Sequence, residues 1–269
     1  KIIGFTISKD KIDHQFDFFQ RNLNSISFTQ NGFHFLFWGI GDLKKSKVNN
    51  KLTLSFPKTE SLDKRNVLIN VLKDQIIIEN DWLSSIPIFY NKKDKIVSTL
   101  YNVCLKSKDI NKVGINNFFA VGYSIFGETP FKDVNFLRYN SKIVIAEKEI
   151  CIKHKQDNFE NLSSNSTVDQ VNSLISKKLK SNLSNYNIIL PLSGGYDSKY
   201  LAYHIDKKEK ISSYTYGLTN NPKNSFETVL AKKLAEKLNF KNTIIPLGNF
   251  STHIEKWHNL FGSSTHLHG

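Results

Sequence analysis

A chain of 269 residues, 39% hydrophobic and 12% aromatic, carries enough apolar side chain for packed cores and for two domains rather than one. No apolar run is long enough to cross a bilayer, and the opening KIIGFTISKDKIDHQ lacks the apolar centre and small-residue cleavage site of a secretory signal, so a cytoplasmic protein without a membrane partner is expected. The 37 Lys and Arg against 24 Asp and Glu give a formal charge of +13, but the cations are mostly lysines scattered along the chain, which favours a solvated basic surface over a dedicated nucleic-acid face.

From Lys1 to about Lys155 short strands alternate with turns. KIIGFTI, SFTQ, FHFLFWG, KLTLSF, QIIIEN, IPIFYN and KIVSTL are rich in Ile, Phe, Val and Thr and are separated by polar or glycine-containing breaks. NKKDKI joins two of them as a hairpin, and SKIVIAEKEICIKHK reads as a further hairpin. Two helices are expected among the strands, one with Ile12, Phe16, Phe19 and Leu23 on a shared face and one at INNFFAVGY. The polar QDNFENLSSNST then reads as a linker. The expected organisation is a first domain over 1–155, a linker over 156–166 and a second domain over 167–269.

Thr167 followed by Gln170 spells a capping box, ahead of a stripe of Val168, Val171, Ile175 and Leu179. Strands and helices alternate from there: strand NIILPL, helix from about Asp197 to Ile205, strand ISSYTYGL, helix Ser225 to Leu238, strand NTIIPLG, helix Thr252 to Leu260. That alternation predicts an α/β domain, a parallel sheet with helices on its faces.

The NIILPL strand hands over to its helix through Ser193, Gly194, Gly195, Tyr196, Asp197 and Ser198. Ligands of parallel sheets sit where a strand's carboxyl end turns into a helix. Two glycines let the backbone approach an anion and take dihedrals that other residues avoid, so that several N–H groups converge. The helix N-terminus adds its positive end, two hydroxyls add donors, and Asp197 could hold a magnesium ion that offsets phosphate charge. The plainer reading is a glycine turn that only links strand to helix; five specified positions in the right context favour a phosphate cradle. Neither G-x-x-x-x-G-K-[ST] nor G-x-G-x-x-G occurs, against a phosphate-loop ATPase or a dinucleotide enzyme.

At these six residues the chain resembles the pyrophosphate-loop family of ATP pyrophosphatases, and what flanks them is similar to asparagine synthetase and its relatives. The resemblance implies ATP and Mg²⁺ as cofactors, with Ser193, Gly194, Gly195 and Ser198 on phosphate and Asp197 on magnesium. It also implies that Leu192 and Tyr216 flank the adenine, through backbone and side chain. SFETVLAKKLAEKL is similar to the family's next helix, with Glu227 at its acidic position four before Ala231, although alone it reads as an amphipathic surface helix. In the first domain, NDWLSSIPIFY resembles the family's Asp-x-x-Gly-x-x-Pro-x-x-Tyr through Asp81, Pro87 and Tyr90, with Ser84 or Ser85 where glycine is usual. INNFFAVGYSIFGETPFKDVNFLRYNSKIVI looks like the segment that closes the amidotransferase domain, with Arg138, Tyr139 and Asn140 replacing a Pro-Pro-Gly. The implied fold is an N-terminal-nucleophile-like αββα sandwich (α+β) followed by a partial adenine-nucleotide α-hydrolase-like, Rossmann-like parallel sheet (α/β).

Two departures qualify the implied activity. Glutaminase domains of this family begin with a nucleophilic cysteine, and this chain begins Lys1-Ile2-Ile3-Gly4-Phe5. Cys104 and Cys151 read as small hydrophobes, without the spacing of a disulfide framework or zinc site, so glutaminase activity is not expected. Relatives that lost the cysteine, the β-lactam synthetase and lasso-peptide cyclase groups, use another amine. The family's later Ser-Gly-x-Gly-x-Asp-Glu segment does not occur before Gly269, and methionine is absent throughout, so the chain as given is expected to be incomplete. His253, His258, His266 and His268 read as surface or pocket-lining residues rather than metal ligands. The expectation is an ATP-dependent ligase that activates a small-molecule carboxylate as an acyl-adenylate, releases pyrophosphate and passes the acyl group to an amine, with self-association left open. The alternatives are a pyrophosphate-loop RNA-modifying enzyme and a non-catalytic descendant that binds nucleotide or a partner.

Overall fold

A computed structural model describes residues 4–11, 25–38, 44–48, 51–56, 67–147, 149–156, 165–183, 187–217, 221 and 224–255. The helix expected through Ile12, Phe16, Phe19 and Leu23, the end of the one expected from Thr252 to Leu260, and His258, His266 and His268 lie outside the described residues. The chain divides into two compact units, Lys1–Glu160 with Ile254–Gly269, and Asn161–His253. It is a mixed α/β protein with several sheets and, among the described residues, five α-helices. No described helix is long and apolar enough to cross a membrane.

The first unit holds β1 (Gly4–Ser8), β2 (Ser25–Gln30), β3 (Phe33–Trp38), β4 (Lys44–Val48), β5 (Lys51–Phe56), β6 (Val67–Val71), β7 (Gln75–Asn80), β8 (Phe89–Asn91), β9 (Ile96–Ser98), α1 (Tyr101–Cys104), α2 (Lys112–Val121), β10 (Asn135–Phe136), β11 (Ser141–Ala146) and β12 (Ile150–His154). They form two six-stranded sheets, ordered β10-β8-β9-β1-β3-β2 and β12-β11-β7-β6-β5-β4, with antiparallel pairing throughout. Alternation explains the burial: in β7, Ile76 and Ile78 are buried while Ile77 and Glu79 are only half-buried. One cluster draws Phe5, Ile7, Phe35 and Phe37 from the first sheet and Ile69, Ile76, Ile78 and Ile143 from the second. Each such side chain contributes about 1.5–3 kcal/mol by leaving water.

Turn chemistry sets the register. Asn31 and Gly32, at φ 52° and 71°, give the β2–β3 hairpin the left-handed pair that an Asn-Gly loop supplies. Asn111 caps α2 by accepting the N–H of Val113, and Gly122, at φ 79°, ends it. Gly4 lies opposite Trp38 across the β1–β3 ladder. A Cβ at Gly4 would sit 2.1 Å from Trp38 Cζ2, so the buried indole occupies the space of the missing side chain.

The second unit holds α3 (Val168–Leu183), β13 (Ile188–Pro191), α4 (Tyr196–His204), β14 (Ile211–Gly217), α5 (Phe226–Leu238) and β15 (Lys241–Pro246), followed by a 3-10 turn at Phe250–His253. The sheet is parallel, in the order β13-β14-β15. Thr167 opens α3 with both halves of its capping box: its N–H donates to Gln170 Oε1 at 2.9 Å, and the Gln170 N–H donates to Thr167 Oγ1 at 3.3 Å. Ser176 Oγ and His204 Nδ1, 2.7 Å apart, tie α3 to α4. Ile188, Leu190, Leu192 and Ile211 meet Ala202 of α4, Ala231 and Ala235 of α5, and Leu179 and Leu183 of α3 in one core.

Candidate functional site

The candidate site lies wholly within the second unit, where β13 leaves the sheet. Leu192 extends the strand by one residue: its N–H donates to the Tyr214 carbonyl at 2.9 Å. The chain then turns through exposed Ser193, half-buried Gly194 and exposed Gly195 into α4. Gly195 is the N-cap residue, at φ −72° and ψ 166°, and supplies no side-chain cap. The N–H groups of the first helical turn therefore point out of the helix without intrahelical acceptors, and the Gly194 N–H has no partner among the described residues.

Two serines close the turn on itself. The Ser193 N–H donates to Ser198 Oγ at 3.1 Å, the Gly195 N–H donates to Ser193 Oγ at 3.1 Å, and the two hydroxyl oxygens lie 3.0 Å apart. These hydroxyls stand on the donors that would receive an anion. They are exposed and rotatable, so an anion can replace them without opening the core.

The two glycines serve space rather than dihedral freedom: neither is among the positive-φ residues, which corrects the expectation of unusual backbone angles. A Cβ at Gly194 would lie 3.4 Å from Glu227 Cα and 3.2 Å from Leu230 Cδ1, and one at Gly195 would lie 3.2 Å from Ser193 Oγ. The contact at Gly194 brings the first turn of α5 onto the loop. Two helix N-termini thus approach Ser193–Ser198, each contributing positive potential, with Asp197 in the first turn of α4 and Glu227 in the first turn of α5. The approach of α5 was not visible in the sequence, because it depends on packing between segments about thirty residues apart.

Asp197 is exposed. Among the described residues no three His, Cys, Asp or Glu side chains gather as a metal site. A lone exposed carboxylate is too few ligands to hold Mg²⁺ by itself and would suit an ion that arrives with phosphate oxygens and keeps most of its water. Tyr196 is 88% exposed, and Lys199 Nζ lies 5.0 Å from its ring centre, within cation–π range.

The structure does not bring the side chains of Leu192 and Tyr216 together. Leu192 is buried in the core under the helices, at 2% exposure. Tyr216 follows Thr215, which faces that core, and so projects from the opposite face of β14. Both backbone groups of Leu192 are engaged, the N–H by Tyr214 and the carbonyl by the Thr215 hydroxyl at 2.7 Å.

In the first unit, Cys104 is fully buried in α1, and burial pushes its thiol up. Cys151 is half-buried on β12. Its Sγ donates to Glu149 Oε1 at 3.2 Å, and that carboxylate holds the thiol above its ordinary value. Neither environment generates a thiolate. Asp81, 2% exposed, organises the turn before β8: its Oδ1 accepts the N–H groups of Leu83 at 2.9 Å and Ser85 at 3.0 Å. Its carbonyl accepts the N–H groups of Ser84 and Asn140. Ser84 has φ 52° and Asn140 has φ 48°, so both occupy backbone that favours glycine. No family model matches the chain, and no curated protein matches it.

Proposed function

We propose that Ser193–Ser198 binds the polyphosphate of ATP and that the protein is an ATP-dependent, AMP-forming carbon–nitrogen ligase of the asparagine synthetase-like type, without its own glutaminase. The observation that carries this reading is the turn itself: at the carboxyl end of a parallel strand the amides of Ser193 and Gly195 are held by two serine hydroxyls alone, beside the half-buried Gly194. A second observation supports the family resemblance. Ser84, one of the two serines at the place where the resembled family has glycine, and Asn140, at the glycine of its Pro-Pro-Gly, both take the left-handed backbone that glycine would favour. In this reading the first unit is an N-terminal-nucleophile-like sandwich used as a scaffold, and the parallel sheet is part of an adenine-nucleotide α-hydrolase-like fold.

The chemistry asks little covalent work of the protein. A substrate carboxylate oxygen attacks the α-phosphorus of ATP while the bond to the bridging oxygen of the β-phosphate breaks, and pyrophosphate leaves. An amine then attacks the acyl carbon, AMP departs, and the nitrogen loses a proton to give the amide. The loop amides and the start of α4 hold the departing pyrophosphate and stabilise the charge that builds on it. Asp197 would hold the Mg²⁺ that accompanies the nucleotide, and the ion would offset the charge of the phosphates.

Calorimetric titration with Mg-ATP and pyrophosphate–ATP exchange with candidate carboxylates, with and without tRNA, test the reading. Exchange driven by a small acid and abolished by Asp197→Ala supports the ligase. Exchange that requires tRNA favours an RNA-modifying enzyme, and ATP binding without exchange favours a non-catalytic descendant. Absence of ATP binding overturns the assignment of the loop.

A further inference from the structure

Behind the loop, β14 turns two hydroxyls toward the helix-covered face of the sheet. Ser213 and Thr215 are each 3% exposed. Thr215 Oγ1 lies 2.7 Å from the Leu192 carbonyl and 3.2 Å from Asn242 Oδ1. Ser213 Oγ lies 3.1 Å from the Lys241 carbonyl and 2.8 Å from Asn242 Oδ1. Asn242 Nδ2 is buried without a partner among the described residues.

Each hydroxyl has one proton and each backbone carbonyl can only accept. If the two protons serve Leu192 and Lys241, the Asn242 atom that faces the hydroxyls must be a donor. A half-turn of the Asn242 amide, which leaves its shape unchanged, gives both hydroxyl oxygens an N–H and exchanges the orphaned donor for an unpaired carbonyl oxygen, the less costly of the two to bury. Each proton of the network then has one acceptor: Asn242 Nδ2 donates to Ser213 and Thr215, and these donate to Lys241 and Leu192.

The consequence falls on the loop. The Leu192 carbonyl and the Ser193 N–H belong to one planar peptide, so a bond that fixes the carbonyl also aims the N–H. We propose that Thr215 is a positioning residue: with Asn242 behind it, its hydroxyl holds the Leu192–Ser193 peptide so that the Ser193 N–H points into the turn. Anion binding by that N–H rests on the function proposed above; the orientation of the peptide does not.

Thr215→Val removes the hydroxyl at nearly constant volume, and Thr215→Ser keeps it. Asn242→Asp, acceptor-only when ionised, draws the hydroxyl proton away from Leu192. By NMR amide exchange on the ligand-free protein, Ser193 N–H is expected to exchange about threefold to tenfold faster in Thr215→Val and in Asn242→Asp, the loss of one hydrogen bond. Thr215→Ser stays near the wild type. Mg-ATP affinity, measured by calorimetry, is expected to fall by a similar factor in the first two variants and to be restored in the third. Unchanged Ser193 exchange in a folded Thr215→Val or Asn242→Asp protein overturns the proposal, as does a Thr215→Ser protein as impaired as Thr215→Val. If the wild type binds no ATP but exchange follows the expected order, the nucleotide reading fails and the positioning role stands.

Discussion

Ser193 and Ser198 face each other across 3.0 Å, each hydroxyl accepting a backbone N–H of the turn that joins β13 to α4. The pair occupies in the free protein the positions that phosphate oxygens take in the proposed complex. Once displaced from the Ser193 N–H, the Ser198 hydroxyl can itself donate to a phosphate oxygen, so Ser198→Ala is expected to weaken Mg-ATP binding by about tenfold to a hundredfold, the loss of one hydrogen bond to a charged group. Its unfolding temperature should stay close to that of the wild type, because the lost bond is exposed. Calorimetric titration beside thermal unfolding measures both. A large loss of stability with unchanged binding would make the serine pair a structural device alone.

The two glycines should separate by assay. Gly194→Ala places a Cβ in ordinary contact with Glu227 Cα at 3.4 Å and requires Leu230 Cδ1, at 3.2 Å, to give by a few tenths of an ångström, and is expected to destabilise the protein by about 1 kcal/mol. Gly195→Ala meets only the rotatable Ser193 Oγ. It should cost less in unfolding experiments and more in nucleotide affinity, since Ser193 must turn away from the Gly195 N–H. The reverse order would show that the contact with α5 is not what restricts position 194.

Ser84, at φ 52°, carries a strained backbone of about 1–2 kcal/mol, partly offset by its side chain. Its Oγ accepts from Asn80 Nδ2 at 3.2 Å and donates more weakly to the Leu137 carbonyl at 3.4 Å. Ser84→Gly removes the strain and the bonds together and is expected to be neutral or slightly stabilising. Ser84→Ala keeps the strain and loses the bonds, and should destabilise by about 1 kcal/mol. Denaturant unfolding gives the order; alanine equal to glycine would show that backbone strain is not a factor there.

Alkaline pH should loosen the first unit. Burial holds Tyr90 and Tyr101 in the neutral form and pushes both up to about 12 from 10.0, with Glu128 adding to the effect at Tyr90. A folded-state value above the unfolded one means that the stability these groups supply is complete below pH 10 and is lost as pH rises towards 12. The unfolding temperature should fall across that window. Tyr90→Phe with Tyr101→Phe should flatten the slope, and an unchanged slope would place the alkaline sensitivity elsewhere.

The parallel half of the molecule was the more legible in sequence. Its period changes are marked by local chemistry, and the capping box of Thr167 and Gln170 forms in both directions. The helix expected from Asp197 begins at Tyr196, and the strand expected from Asn242 begins at Lys241. In the first unit β4, β6, α1 and β10 were not anticipated. The β4 sequence, KKSKV, has no apolar alternation, and pairing with β5 decides its conformation; α1 and β10 span four and two residues, too few to show a period. The loop was legible because glycines, hydroxyls and a carboxylate fall between strand and helix. The packing of Gly194 on α5 and the tie from Thr215 to Leu192 were not, since both are contacts across the fold that no local spacing encodes.

The indole that fills the space beside Gly4 ties the residue choice at position 4 to that at position 38. An alanine at position 4 would meet the Trp38 ring at 2.1 Å and Thr99 Oγ1 at 2.3 Å, so a side chain is admissible there only after the indole has been replaced by something smaller and the threonine hydroxyl has moved. Homologues should therefore vary at positions 4 and 38 in concert, and a lineage that shrinks the tryptophan first gains a route to β1 sequences closed to this one.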